Sequence, residues 1–447
     1  MIMKKYLFFA ACLMVISITS CDNEGDAPQQ QVQDEKNGGT TDRHSGSDGQ
    51  EDDSGQTAVR SLTLSDAQKT AVERNNEFAF SFFRKISALE ELKGKSFVSS
   101  PISATYALGM LNTGSTGTTS TEITAMLGFN GGSRQDVNEL CKLLIENVPT
   151  LDEQAVLKLA DCVLFHQDIA LKEPFLQDVR DYYHGEVFAR DFNSSETVDF
   201  INDWCSRQTE GMIKHVIGEL SAEQKVVLMN AVYFKAPWSG QFKAEDTREE
   251  AFTLDGGRQQ TKAVMHRQDA TFYAKNSHYS AIGLPYGNGK NWVMYVLLPN
   301  EGTTVDELLS SLTYDNWEKE KPLVTDEARM VDVKLPKFKI DSEIILNDVL
   351  KTMGSTSMFS SEKADFTPMT TSVDPLWVSL VKQLASIEVS EEGTEASAVT
   401  IAEAAGSGID STSTPEMTKF HATRPFIYLI QEVSSHAIFF TGIYRGE

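Results

Sequence analysis

Cysteine is scarce in this chain, five among 447 residues, and none of the five sits at C-x-x-C or metal-ligand spacing. That excludes a thioredoxin-like redox motif and a zinc finger or ribbon. Beyond Cys12 and Cys21 only Cys141, Cys162 and Cys205 remain, an odd number that leaves at least one thiol free. Buried packing is the expectation for them. Positive charge is also in short supply: 40 Lys and Arg face 64 Asp and Glu, for a formal net charge of −24. Phosphates would be repelled by such a body, so no nucleic-acid partner is expected. Catalytic signatures are missing too. There is no H-E-x-x-H and no Walker A, and the nearest approach to G-x-S-x-G, Thr113 to Gly117, lacks its first glycine. The eight histidines are scattered, none beside a motif-borne Ser or Cys. No catalytic, cofactor or metal residue is assigned, and the chain is not expected to be an enzyme.

The apolar stretch near the start, Tyr6 to Ile18, follows Lys4 and Lys5 and is too short for a comfortable membrane span. Residues 1–20 therefore read as a signal peptide. Ile18-Thr19-Ser20-Cys21 resembles a bacterial lipobox, which implies that Cys21 is the lipidated first residue of the mature chain. The acidic residues just after it (Asp22, Glu24, Asp26) resemble an export signal of surface lipoproteins in some Gram-negative groups. Residues 21–60 are polar and acidic, too poor in large apolar side chains to offset chain entropy, and are expected to form a disordered tether. About 35 such residues span roughly 30–35 Å. The expectation is an exported protein, lipid-anchored to the outer membrane or cell surface and facing periplasm or exterior. It would meet the membrane only through its anchor.

The remaining residues, 61–447, are expected to form one domain of α+β class, because helical patterns cluster early and strands late. Ser65 and Gln68 form a capping box ahead of a helix whose Phe78, Phe82, Ile86 and Leu89 repeat at helical spacing. Phe97 to Ser100 reads as a short strand before a helix opening at Pro101. Gly114 to Thr119 reads as a loop, followed by a helix from Glu122 to Leu127. Val226–Phe234, Trp292–Leu298, Val331–Ile340 and Phe426–Ile430 read as apolar strands.

The most telling stretch is Glu391 to Ala405, E-E-G-T-E-A-S-A-V-T-I-A-E-A-A. From Thr394 every second residue is small and uncharged: Thr394, Ala396, Ala398, Thr400, Ala402, Ala404. The interleaved set carries Glu395 and Glu403. As a strand this would put a compact face inward and both carboxylates in water. Yet Ala and Glu are poor strand formers, Gly393 supplies a backbone swivel, and Gly406-Ser407-Gly408 ends the pattern. The composition suits a loop in one state and a strand in another.

This stretch resembles the hinge of the reactive-centre loop of inhibitory serpins. The resemblance extends in order over about Ser65 to Tyr444. It is carried by F-V-S-S-P-I-S-A-T-Y-A-L-G-M-L around Ser100 and Ser103, I-N-D-W-C-S-R-Q-T-E-G-M-I (Ile201 to Ile213) and N-A-V-Y-F-K-A-P-W ending at Trp238. Further matches are L-P-K-F-K-I, L-K-T-M-G, R-P-F-I-Y and I-F-F-T-G. It implies a large central mixed β-sheet with smaller sheets, surrounding helices and an exposed reactive-centre loop. It also implies a hinge at Glu391, Gly393, Thr394, Ala396, Ala398 and Thr400, a breach at Trp238 where the loop enters, and a shutter holding Ser100, Ser103 and Gln383. Gln383 stands where many serpins have His, so a similar network without a titrating group is expected.

The function so implied is suicide inhibition: a target protease cuts the loop, becomes acylated and is trapped as the freed segment inserts into the sheet. Counted from the hinge, the scissile bond falls at Ser407–Gly408, with a bond near Ile409 the alternative, in a setting of small residues that suits elastase-like or subtilisin-like serine proteases. The stretch from Ser407 to Pro425 is longer than in typical animal members. The alternatives are inhibition of papain-like cysteine proteases and a non-inhibitory serpin-fold surface binding protein. A monomer that meets its target protease in a covalent complex is expected.

Overall fold

Ser65 starts the first helix as its sequence predicts: its hydroxyl accepts from Gln68 N at 3.3 Å and its own N–H reaches Gln68 Oε1 at 2.9 Å. The computed structural model describes residues 60–322, 328–372, 374–394 and 417–447. Six helices come early: α1 (Asp66–Ser87), α2 (Pro101–Thr113), α3 (Gly117–Met126), α4 (Arg134–Asn147), α5 (Glu173–Tyr183) and α6 (Ser195–Gln208). The helix after Gly114 begins at Gly117, earlier than its composition suggests. Thr116 N donates to Asp365 O and Thr119 Oγ1 accepts from Asp365 N, both at 3.0 Å, so tertiary partners hold a polar turn in helix.

The described strands, in chain order, are β1 (Phe97–Ser99), β2 (Val156–His166), β3 (Glu186–Arg190), β4 (Val226–Pro237), β5 (Arg248–Thr253), β6 (Gln259–Lys275), β7 (Tyr279–Tyr286) and β8 (Trp292–Pro299). They continue with β9 (Arg329–Pro336), β10 (Phe338–Ile345), β11 (Val378–Val389), β12 (Gly393–Thr394), β13 (Thr418–His421), β14 (Phe426–Glu432) and β15 (Ile438–Tyr444). A mixed six-stranded sheet has the order β10-β11-β12-β4-β2-β3, and a nine-stranded sheet runs β1-β15-β14-β8-β7-β6-β9-β13 with β5 on β6. The single strand expected over Val331–Ile340 is two strands in two different sheets. Pro336, which has no N–H for a ladder, closes one, and Lys337 turns the chain by donating to Ala263 O at 2.9 Å.

All thirteen residues of α2 are buried. At about 1.5–3 kcal/mol per large apolar side chain, its Ile102, Leu108, Met110 and Leu111 anchor the core on one face of the six-stranded sheet. Leu228, Val232, Val381 and Ala385 belong to that core. The opposite face, with Met229, Ala231, Leu384 and Leu164, packs under Ile201, Trp204 and Cys205 of α6. Cys141, Cys162 and Cys205 are buried as expected, all three are free thiols, and burial pushes each of them up, Cys205 to about 12.

Candidate functional site: a half-open seam between two parallel strands

In the six-stranded sheet β4 and β11 run parallel, in direct contact from Val378↔Val226 through Gln383↔Asn230 to Ser386↔Tyr233. Beyond Ser386 they part, and β12 enters the gap antiparallel to both. Thr394 faces Val389 on one side and Ala236 on the other, and Gly393 faces Pro237. Parallel neighbours with an antiparallel strand between them form a site for strand addition, its first rung already filled.

The hinge leading into that rung is a turn in which Ser390 N reaches Gly393 O at 2.8 Å. Gly393 has φ +151, and a Cβ there would lie 2.3 Å from Ala236 O, so only glycine passes the edge of β4 without displacing it. Trp238 N donates to Glu392 O (2.9 Å), Phe242 N to Glu391 O (3.0 Å) and Trp238 Nε1 to Ser390 O (2.9 Å). The indole stacks on Tyr286 of β7 at 4.3 Å between centroids, and the Tyr286 hydroxyl meets Thr394 Oγ1 at 2.7 Å. Thr394 is fully buried, and burial pushes the Tyr286 phenol well up. Glu391 takes Lys337 Nζ at 2.7 Å and Thr247 Oγ1 at 2.8 Å. Burial works to raise its carboxyl, yet these bonds hold it below the usual range. Lys337 is 41% exposed, so that ion pair contributes at most about 1 kcal/mol. The hydrogen bonds around Trp238 and Thr394, at ~0.5–1.5 kcal/mol each, hold the hinge more firmly.

Midway along the seam a polar chain crosses three strands. Gln383 Oε1 accepts from Ser100 N (2.9 Å), and its Nε2 donates to Ser100 O (2.8 Å) and to Asn230 Oδ1 (2.9 Å). Asn230 Nδ2 donates in turn to Ser103 Oγ, to Ser103 O (3.2 Å) and to Asp161 Oδ1 (2.5 Å). Because Ser100 presents both backbone groups to Gln383, neither amide can flip without loss. The expected absence of a titrating group is corrected here. Asp161 of β2 lies beside Asn230, is 6% exposed, and has its carboxyl raised by burial, against the Asn230 bond, to about 7.

Glu391, Gly393, Thr394 and Trp238 thus meet at one end of the seam, and Ser100, Ser103 and Gln383 meet at its middle. Ala396, Ala398, Thr400, Ser407, Gly408 and Cys21 lie outside the described residues. Asn230, Asp161, Tyr286, Lys337 and Thr247 belong to the site without having been singled out. A lone Asn inside V-V-L-M-N-A-V-Y-F and a lone Asp inside L-A-D-C-V-L-F are the signals for two of them, since a polar group in a buried strand needs a partner. Downstream, β13 pairs in parallel with β9, and Asp332 receives His266 at 2.6 Å and His421 at 3.0 Å. Although burial pushes the Asp332 carboxyl up, the two imidazoles leave it below its ordinary range.

A family model described as Serpin (serine protease inhibitor) matches residues 73–445. Serpin B3 of Homo sapiens is 31% identical over 391 residues, covering 83% of this chain and 97% of that protein. Among solved structures, the thermophilic serpin Tengpin in the native state superposes with a TM-score of 0.76 at 26% identity, over 87% of this chain and 96% of that one. Human thyroxine-binding globulin in complex with thyroxine has a TM-score of 0.76 at 26% identity, over 85% of this chain and 100% of that one.

Proposed function

The chain belongs to the serpin family, and from that premise we propose that it is a suicide inhibitor of proteases, with an elastase-like or subtilisin-like serine protease as its target. The observation that carries this reading is the register of Thr394 between β4 and β11. Six residues on from Thr394 is Thr400; six back from Ala236 is Asn230, and six back from Val389 is Gln383. Continued insertion would therefore seat Thr400 between the two amides that now bond each other across the seam. The small even-numbered residues would face α2. Val399 and Ile401 would fall opposite Ala231 and Met229, in the apolar layer under α6. The eleven residues Thr394–Ala404 match the eleven of β4 from Ala236 back to Val226.

Mechanistically, the protease nucleophile attacks the Ser407 carbonyl and the Ser407–Gly408 bond breaks to leave an acyl-enzyme. Zipping of the freed strand then drags the protease with it. From Thr394 to Ser407 the strand spans on the order of 45 Å at ~3.3 Å per residue, against a radius of gyration of roughly 21 Å for the domain. A protease pressed against the far end loses the alignment of its oxyanion hole, and deacylation slows by orders of magnitude. No Lys or Arg lies between Thr394 and Pro415, which argues against a trypsin-like target.

Incubation with elastase-like, subtilisin-like and papain-like proteases tests the reading. A denaturation-resistant complex is expected with the first two, together with a released fragment whose mass corresponds to Gly408–Glu447. A papain-like complex alone would move the target class. Cleavage of the loop without any trapped complex would overturn inhibition and leave a binding protein. Human thyroxine-binding globulin shares this fold and is a binder by name, so the fold alone does not decide. The protein is further proposed to act as a monomer held to a membrane by a lipid on Cys21. Fatty-acid labelling should disappear in Cys21→Ser, with the protein moving to the soluble fraction; retained labelling would remove the anchor.

A further inference from the structure

Asp161 is a buried carboxyl that the trapping mechanism above does not use. It sits on β2 directly across from Asn230, on the face toward α2, two strands from Gln383. Among the described residues Asn230 links it to the seam: its Nδ2 serves Asp161, and its Oδ1 takes the Gln383 bond that must break when β4 and β11 separate. The titratable groups facing Asp161 are Tyr106 of α2, Cys141 of α4 and, along its own strand, Cys162. Burial raises each of them well above its ordinary value, so all three are neutral. Tyr183 of α5, bonded to Cys141, is neutral for the same reason. Asp161 has no ion pair among the described residues. Tyr106 Oη, buried in the same region, has no hydrogen-bond partner there.

We infer that Asp161 is a positioning residue for strand insertion: acting through Asn230, it sets how readily the β4–β11 seam opens, according to whether its carboxyl carries a proton. This rests on the strand-insertion reading above. With the proton on, the chain from Ser100 through Gln383 and Asn230 to Asp161 is a neutral network, and the closed seam is at its most stable. With the proton off, a charge is enclosed, among the described residues, by neutral amide, hydroxyl and thiol groups. Parting β4 from β11 exposes Asn230 Oδ1 and admits water one bond away from that charge. The closed seam therefore binds the proton more tightly than the open one. Its extra stability is fully present below the carboxyl's value in the open seam and is lost as pH rises from there through about 7.

The probe is a synthetic acetylated peptide of sequence Thr394–Ala404, annealed into the intact full chain and followed by native-gel mobility. Its own carboxylates, Glu395 and Glu403, titrate near ~4, outside the window. If one unit of the raised acidity constant is relieved on opening, annealing should run about fivefold faster at about pH 8.5 than at about pH 6. Asp161→Asn, which keeps the acceptor for Asn230, should be flat across this range at a rate close to the acid limb of the wild type. A flat wild-type profile, or a variant that keeps the slope, overturns the role of Asp161 while leaving the inhibitor reading intact. A peptide that anneals at no pH removes the strand-acceptor reading, and this inference with it.

Discussion

Cutting the loop between Ala404 and Gly408 should raise the melting temperature of the protein by about 12 °C. The starting sheet has β4 and β11 in direct contact below Ser386. Replacing that contact with an inserted strand exchanges one ladder for two. About a dozen additional backbone bonds at a net ~0.5–1.5 kcal/mol come to on the order of 10 kcal/mol. A domain of ~385 residues unfolds with an entropy of roughly 0.8 kcal/mol/K, which converts the gain into about 12 °C. The intact state must then be held by a kinetic barrier rather than by its free energy. Calorimetry of intact and nicked protein at one scan rate measures the difference. A nicked form that melts at or below the intact one shows that no insertion energy exists.

Thr394→Arg should convert the inhibitor into a substrate. Thr394 is fully buried, its hydroxyl is satisfied by Tyr286, and its backbone is paired on both sides. A guanidinium in that position must be desolvated at a cost of several kcal/mol. Every roughly 1.4 kcal/mol slows the first rung tenfold against deacylation. The fraction of protease trapped should fall by about two orders of magnitude while the rate of loop cleavage stays near that of the wild type. Unchanged cleavage separates this effect from misfolding. Thr394→Ser, which keeps the hydroxyl, should trap normally. A variant Thr394→Arg that traps as well as the wild type would show that insertion does not pass through this rung.

Those features that depend on near neighbours were legible before any coordinates. Ser65 and Gln68 cap α1 as their spacing indicates, and β4 lies where V-V-L-M-N-A-V-Y-F places it. Trp238 likewise lies at the entry of the hinge. Other features depend on partners far along the chain. Tyr286 is 108 residues from Thr394 and Asp161 is 69 from Asn230, so no local pattern joins them. The division of Val331–Ile340 between two sheets was hidden because both halves alternate apolar with charged residues as strands do, and only the pairing partners distinguish them. Gln383 lies on the seam beside Asn230, and the acid bonded to Asn230 comes from another strand.

The stacking of Trp238 on Tyr286 has a practical consequence. An indole stacked on a phenol spends its N–H on the carbonyl of Ser390 at the start of the hinge, so its emission should shift when that bond is lost. The molecule thus carries its own optical gauge at the mouth of the sheet. Ultraviolet fluorescence can follow the docking or departure of the segment in real time, with no dye attached and no residue replaced.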